Sequence, residues 1–564
     1  MRKRDPHIVQ RQFIVIYRVF LLRVVDLELL SADGDVTKLL GQFAALLAAV
    51  SFMFTAPLIL VGGRLPPEVL WTMEHLLIAT TMAVIGLFSV FNWDSVFPDR
   101  QDLLVLAPLP VHPGTLFIAK IAALLSALGI SIIALNVFTG LIWPCLFSPA
   151  EGRFWAGVRS LFAYWTTILA AGIFIFCVVV TVQGLTSLLL KRQYFLRLSV
   201  AIQVFSFALI LGMYILEPSL ETLPELAAGE NQQLLSWLPT YWFLGLFQQL
   251  NGTMLAPFHA LAIRAWEALV WVVAGAVSTV LFSYVHTLRK IVEEPDVVPG
   301  SKRTWCSLNF TDSIQDAVSF FSLRTLLRSR HHRVILSFYL GVGLAIVLAY
   351  VKIPFQPNGS IHKQAFEQTV VPYLLATILM MCVVVGGLRL VAALPIAASA
   401  NWLFQLTELY SVRKYVSAVR QTFIILTVLP VCLGSSILFL WFWPFRIMIE
   451  HAFILGLIGT LLVELSLINF LKIPFTCAYL PGKGNLQYVF WACVLLFAPL
   501  VRLAAEFEVR TLNHPVAYGV TVLVLGACVA CARLRGTTLA KHATGLRFTE
   551  INTPDIYALN LPRE

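Results

Sequence analysis

Long apolar runs recur along the whole chain, and they constrain its fold more than any other feature. Each run approaches the roughly 20 residues that a helix needs to cross a bilayer, where every backbone polar group must be paired internally. Of the 564 residues, 59% are hydrophobic and 12% are charged, whereas about a quarter are charged in soluble proteins. The runs predict twelve spans: 39–61, 70–92, 114–142, 160–189, 197–216, 258–285, 333–351, 370–388, 416–442, 450–471, 487–503 and 515–533. We therefore expect an all-α polytopic membrane protein.

The Lys and Arg residues between these runs predict the orientation. With a cytoplasmic N-terminus, 30 of the 40 Lys and Arg residues fall in cytoplasmic segments and 8 in outer segments. Cytoplasmic loops of membrane proteins are enriched in Lys and Arg, so we expect both termini in the cytoplasm. The predicted outer loop 217–257 carries four Glu and no Lys or Arg. Its segment LLSWLPTYWFLGLFQQL is too short to cross and is expected to lie in the outer interface.

Two basic amphipathic segments divide the chain into two predicted units, 1–300 and 301–564. The first segment predicts an interfacial helix over 8–30, with arginines on one face, although a poorly hydrophobic span is an alternative. The second predicts an interfacial helix over 312–333, after a polar linker. Six spans follow each helix in parallel repeats, and a cytoplasmic tail over 534–564 ends the second unit.

The segment between the second and third spans carries a recognisable pattern. DLLVLAPLPVHPGTLFIAK, from Asp102 to Lys120, resembles the cytoplasmic turn at this place in permeases of the type-2 exporter class of ABC transporters. That turn has an acidic residue, a leucine pair (here Leu103 and Leu104), a Leu-Pro-Val/Ile element and a lysine that opens the next span. The interfacial helix, six spans per half and the partly buried outer segment are also similar to that class.

The resemblance implies a permease subunit, of the exporter type, in the cytoplasmic (inner) membrane of a bacterium, with both halves in one chain. In that class a cytoplasmic ATPase grips a short helix between spans two and three. This chain has no G-x-x-x-x-G-K-[ST] motif, so ATP and Mg²⁺ are expected on the partner and no cofactor on this chain. The substrate and the oligomeric state stay open.

The candidate ATPase-coupling residues combine apolar side chains that suit a groove with charges that fix register. In the first unit they are Asp94, Phe97, Asp99, Arg100, Asp102, Leu103 and Leu104, and in the second unit Asn401, Trp402 and Glu408. The alternative is a solvated turn that only reverses the chain.

Polar residues inside the predicted spans are the other candidates, because an unpaired ionisable group there costs several kcal/mol. Glu464 has three open roles: carrying a proton, meeting a cationic substrate, or pairing with a neighbouring helix. Arg264 and Glu267, three residues apart, are expected to pair with each other. Lys120 lies inside the third span. Four amides are candidates for either a transport path or interhelical hydrogen bonds: Asn136, Gln183, Gln203 and Asn469.

The sequence carries no signature of hydrolases, metalloproteases or nucleic-acid binding. We therefore expect a non-enzymatic transporter in contact with the lipid bilayer, with no metal and no nucleic-acid partner. Two alternatives remain beside the permease: an ion-coupled secondary transporter of about twelve spans, and a membrane-embedded transferase acting on a lipid-linked substrate.

Overall fold

Helices make up nearly all of the chain that the structure describes. The computed structural model describes residues 6–25, 36–61, 67–93, 111, 113–147, 153–190, 192–216, 235–253, 255–293, 314–329, 332–333, 335–337, 339–341, 343–344, 348, 364–392, 412–440, 444–468, 470, 473–475, 486–512 and 514–542. These residues contain no β-strand. The chain separates into two compact units, Met1–Ser301 and Lys302–Glu564.

The first unit places a helix on each of its predicted spans and on its predicted interfacial segment. Its described helices are α1 (Pro6–Val25), α2 (Val36–Val61), α3 (Pro67–Phe91), α4 (Pro113–Phe147), α5 (Arg153–Leu189), α6 (Arg192–Leu216), α7 (Pro239–Asn251) and α8 (Ala256–Glu293).

The second unit has its own core, built where its helices meet. Its described helices are α9 (Ile314–Arg328), α10 (Gln364–Val391), α11 (Val412–Phe423), α12 (Leu429–Phe439), α13 (Phe445–Ser466), α14 (Leu486–Leu512) and α15 (Pro515–His542). A π-helical segment, Ile424–Val428, joins α11 to α12. Pro430 follows this segment and lacks a backbone N–H, and a wider π turn is one way a helix accommodates such a break.

Eight helical stretches within the described residues are long and apolar enough to cross a membrane. They are Val69–Phe91, Gly114–Pro144, Phe154–Leu189, Phe258–Ser283, Val370–Val391, Val412–Ile437, Phe445–Ser466 and Pro515–His542. They identify the chain as a multi-pass membrane protein. The other four predicted spans (39–61, 197–216, 333–351 and 487–503), the orientation and the parallel repeats stay predictions.

Helix α1 packs one face against α4 and leaves arginines on another. Phe20 is buried in a core cluster that includes the first turns of α4, and the Tyr17 hydroxyl donates to Ser126 Oγ at 3.0 Å. Arg11 and Arg18 are exposed. This combination is the amphipathic character expected of a helix at a membrane interface.

Helix α7 lies inside the first unit rather than on its surface. It begins at Pro239, and Gly252 follows it in the left-handed conformation, with φ 74°, which glycine adopts without strain. Its 13 residues are too few to cross a bilayer. Phe243 and Leu246 are fully buried. Helices α3, α5 and α8 pack around α7, whereas Trp237, just before α7, is 80% exposed. The position of the segment in the outer interface stays a prediction.

Gly245 is the point of closest approach between α7 and α8, and Gly245→Ala is expected to destabilise the protein by about 1–3 kcal/mol. A Cβ at this position would lie 2.8 Å from Leu261 Cβ and 2.9 Å from Ala262 N, so the α8 backbone itself would have to move. Thermal unfolding in detergent would measure the loss. Gly129→Ala on α4 is the control, because nothing lies within 4 Å of its Cβ position. An equal effect of both substitutions would contradict the prediction.

Candidate functional site

The predicted ATPase-coupling residues lie outside the described residues. They are Asp94, Phe97, Asp99, Arg100, Asp102, Leu103 and Leu104 in the first unit and Asn401, Trp402 and Glu408 in the second. The structure does describe what borders the first group: Trp93 on one side, and Val111 with the start of α4 on the other. The contacts of these bordering residues show which helices would move if the segment were displaced.

Trp93, the residue before this segment, is fully buried and hydrogen-bonded to two neighbouring helices. Its indole Nε1–H donates to Ser199 Oγ on α6 at 2.9 Å, and Gln183 Nε2 on α5 donates to its backbone oxygen. Gln203 Nε2 on α6 donates to the Val90 oxygen at 2.8 Å. The two glutamines thus bind carbonyls at the end of α3 that the helix itself leaves without partners.

Lys120 marks the other border, two turns into α4. Its side chain is buried, and Nζ lies 5.3 Å from the centroid of the Phe20 ring on α1. A cation at this distance from an aromatic face is attracted to it. The lysine that carries part of the family resemblance therefore packs against the amphipathic helix α1.

The three described amide candidates form interhelical hydrogen bonds. Beside Gln183 and Gln203, Asn136 Nδ2 donates to Thr81 Oγ1 at 3.2 Å, and the Tyr164 hydroxyl donates to Asn136 Oδ1 at 3.0 Å. These contacts favour helix association over a transport path. Asn469 lies outside the described residues.

Glu464 forms a buried ion pair with Arg420. Arg420 Nε on α11 lies 2.7 Å from Glu464 Oε1 on α13, and the two side chains are 6% and 4% exposed. The Arg420 Nε–H makes no hydrogen bond, so the attraction between Arg420 and Glu464 at this atom is electrostatic. Of the three roles open to Glu464, the structure supplies pairing with a neighbouring helix.

A second buried pair links three helices of the same unit. His451 Nδ1 on α13 lies 2.6 Å from Glu508 Oε1 on α14, and its Nε2 lies 3.1 Å from Thr377 Oγ1 on α10. The Thr377 hydroxyl donates to the Leu374 oxygen at 2.8 Å. The His451 ring therefore connects α10, α13 and α14 through one contact at each nitrogen.

Glu74 near the start of α3 is a third buried carboxylate, with 9% exposure. Gln248 Nε2 on α7 donates to its Oε2 at 2.5 Å, and Thr253 Oγ1 donates to Gln248 Oε1. The adjacent His75 stacks on Tyr241 of α7, with ring centroids 4.0 Å apart. The start of α3 and the helix α7 therefore form one polar layer.

Arg264 and Glu267 do not pair with each other, which corrects the prediction made from their spacing. Both side chains are exposed on α8, and no salt bridge joins them in the described chain. The i,i+3 spacing permits contact, but exposed side chains gain little from pairing and keep other conformations accessible.

Sequence reasoning missed four charged or ionisable residues of these clusters: Glu74, Arg420, His451 and Glu508. For Glu74 a signal was present, since a carboxylate inside an apolar run is a functional candidate by default. Glu508 lies beyond the predicted span 487–503, because its apolar run ends near residue 503, whereas α14 continues to Leu512. Arg420 lies inside the predicted span 416–442, where the same default applies.

Comparisons with protein-family models, with curated proteins and with solved structures find no match to this chain.

In the part of the chain that the structure describes, no group of three or more His, Cys, Asp or Glu could hold a metal ion.

Proposed function

We propose that the protein is the permease subunit of an ABC-type exporter, in which a separate cytoplasmic ATPase drives substrate outward across the cytoplasmic membrane. One observation carries the proposal. The segment that resembles an ATPase-coupling loop begins at a residue, Trp93, that is buried and hydrogen-bonded to two other helices. A solvated turn that only reverses the chain has no need of such an anchor.

The far end of the segment supports the same proposal. Val111 leads into α4, and α4 packs against α1 through the Tyr17–Ser126 hydrogen bond and the Lys120–Phe20 contact. A displacement of the segment would therefore act on α3, α5 and α6 at one end and on α1 and α4 at the other. A loop anchored in this way at both ends suits the conversion of movement in a bound ATPase into movement of spanning helices.

The proposal predicts that a Walker-motif ATPase copurifies with the wild-type protein in mild detergent from its native host. Leu104→Asp and Asp102→Lys are expected to reduce that copurification at least about tenfold, because the first places a charge on an apolar contact and the second reverses a pairing charge. Quantitative mass spectrometry of the purified sample would measure the ratio of ATPase to permease.

Glu230→Lys is the matched control, since it reverses a charge in the predicted outer loop. Its copurification ratio should equal that of the wild type. A folded wild-type protein that carries no ATPase and still transports without ATP would overturn the proposal.

The ion-coupled secondary transporter remains the second candidate, and the buried pairs of the second unit favour it. Ionisable residues within membrane spans often mark ion or proton pathways, and α13 carries two of them, His451 and Glu464. The two candidates differ in one measurement. Transport by the second would persist in ATP-free proteoliposomes and stop when the ion gradient is collapsed.

A further inference from the structure

Three carboxylates are buried in the described chain: Glu74, Glu464 and Glu508. Two of them lie beside a basic side chain, with Arg420 Nε 2.7 Å from Glu464 and His451 Nδ1 2.6 Å from Glu508. Glu74 has no salt bridge among the described residues. Two of the three buried carboxylates thus have a basic side chain within 2.7 Å, and Glu74 has none at salt-bridge distance among the described residues.

The hydrogen-bond donor to Glu74 is a neutral amide, Gln248 Nε2 at 2.5 Å. A hydrogen bond from an amide satisfies a lone pair but brings no positive charge. An ionised carboxylate in an apolar environment is costly unless it is neutralised, either by a proton on the carboxyl group or by a cation beside it. Glu74 is 9% exposed, so a small cation can reach the carboxylate.

Asn251 provides a second acceptor on the same element. Its side chain is 8% exposed, and its Oδ1 has no hydrogen-bond partner in the described chain. Asn251 is three residues after Gln248, which places both on one face of α7. This face therefore holds an unpartnered amide oxygen next to the residue that contacts Glu74.

The position at the end of α7 adds a further preference for positive charge. Helix C-termini carry partial negative charge from their unpaired carbonyls, which stabilises cations. Arg159, exposed on α5, already covers the backbone of Gly252, but it makes no salt bridge with Glu74. His75, the other ionisable neighbour, is bonded to Thr240 Oγ1 at 3.2 Å.

We propose that Glu74 and Asn251 supply the oxygen ligands of a binding site for a monovalent cation, either an alkali-metal ion or an organic ammonium group, and that Gln248 holds the Glu74 carboxylate in place. One carboxylate balances one positive charge, whereas a divalent ion would leave an excess charge in a buried site. Oxygen ligands of this kind suit hard cations rather than transition metals. The predicted orientation puts the start of α3 at the outer side of the membrane. This site is independent of the proposed function, since binding is measured without any ATPase.

The test is thermal unfolding of the full-length protein in detergent, titrated with NaCl, KCl, methylammonium chloride or tetramethylammonium chloride. Ionic strength is held constant with N-methylglucamine chloride. We expect a saturable rise of the wild-type Tm with at least one of these cations. Glu74→Gln should abolish that rise, and Asn251→Leu should weaken the apparent affinity at least about tenfold. A rise with NaCl or KCl identifies the ligand as an alkali-metal ion, and a rise with the methylammonium salts identifies it as an organic ammonium group.

Glu267→Gln is the matched control, because it neutralises an exposed carboxylate of the same unit and should keep the wild-type response. Glu74→Gln without added cation should melt no lower than the wild type, since it removes a buried charge. If Glu74→Gln fails to fold, equilibrium binding of radiolabelled sodium, or of methylammonium, to the wild-type protein decides, with one ion per chain expected. A wild-type protein that binds none of the four cations, or an unchanged response in Glu74→Gln, would overturn the proposal.

Discussion

Replacing Arg420 with methionine is expected to lower the free energy of unfolding by about 3–5 kcal/mol. The substitution keeps a long apolar stem but leaves the Glu464 carboxylate without its counter-charge, and the Glu464 side chain is only 4% exposed. Losing the partner of a buried charge costs far more than losing an exposed pair. Thermal or SDS-induced unfolding of the purified protein would measure the change.

The double variant Arg420→Met with Glu464→Leu separates the charge from the packing. Because buried ion pairs can be replaced by apolar residues at little net cost, most of the lost stability should return in the double variant. Arg446→Met is the matched control: its pair with Glu450 spans 2.8 Å, but the arginine is 75% exposed, so no comparable loss is expected. Additive losses in the double variant would contradict this account.

The double variant also bears on the remaining roles of Glu464. If stability returns and transport is retained, the pair is a packing element between α11 and α13. If stability returns but transport is lost, the charge itself is needed, which is what a proton carrier or a cationic substrate would require. A stability measurement alone does not distinguish these outcomes.

The helices were predictable from the sequence because apolar runs have a single stable form in lipid. The predicted span 114–142 lies on α4 (Pro113–Phe147), and 70–92 lies on α3 (Pro67–Phe91). Helix ends were less predictable where polar residues extend the helix. Helix α14 continues to Leu512, and an i,i+4 pair between Arg502 and Glu506, at 3.0 Å, crosses the predicted end at residue 503.

The partners of buried polar residues were beyond the sequence. Glu74 and Gln248 are 174 positions apart, and Glu464 meets Arg420 only because α11 and α13 pack side by side. Hydropathy reports that a residue lies in an apolar run, but it carries no information on which helices are neighbours or which faces meet. The roles left open for Glu464 and the wrong pairing of Arg264 with Glu267 both follow from this gap.

Trp93→Ala is expected to lower the free energy of unfolding by about 3–5 kcal/mol, because Trp93 is fully buried and its removal opens a cavity between α3 and its neighbours. Trp93→Phe keeps most of the volume but removes the Nε1–H that donates to Ser199 at 2.9 Å, so a smaller loss of about 1–3 kcal/mol is expected. Trp271→Ala, at a tryptophan that is 77% exposed on α8, is the control and should have little effect.

The same variants test whether the anchor transmits force. If residues 94–110 dock an ATPase, Trp93→Phe should leave docking intact, since the docking side chains lie beyond it, while reducing transport per ATP hydrolysed. Without the Trp93–Ser199 hydrogen bond, the segment would still move with the ATPase, but α3 would be held less firmly to α6. Less of the ATPase movement would then reach the spanning helices. Unfolding, copurification and coupled transport, measured on one preparation, distinguish this from simple destabilisation, which would lower all three together. If Trp93→Phe transports as much substrate per ATP as the wild type, the hydrogen bond to Ser199 does not transmit the movement. Gln183 and Gln203, which bind carbonyls at the end of α3, would then be the next residues to substitute.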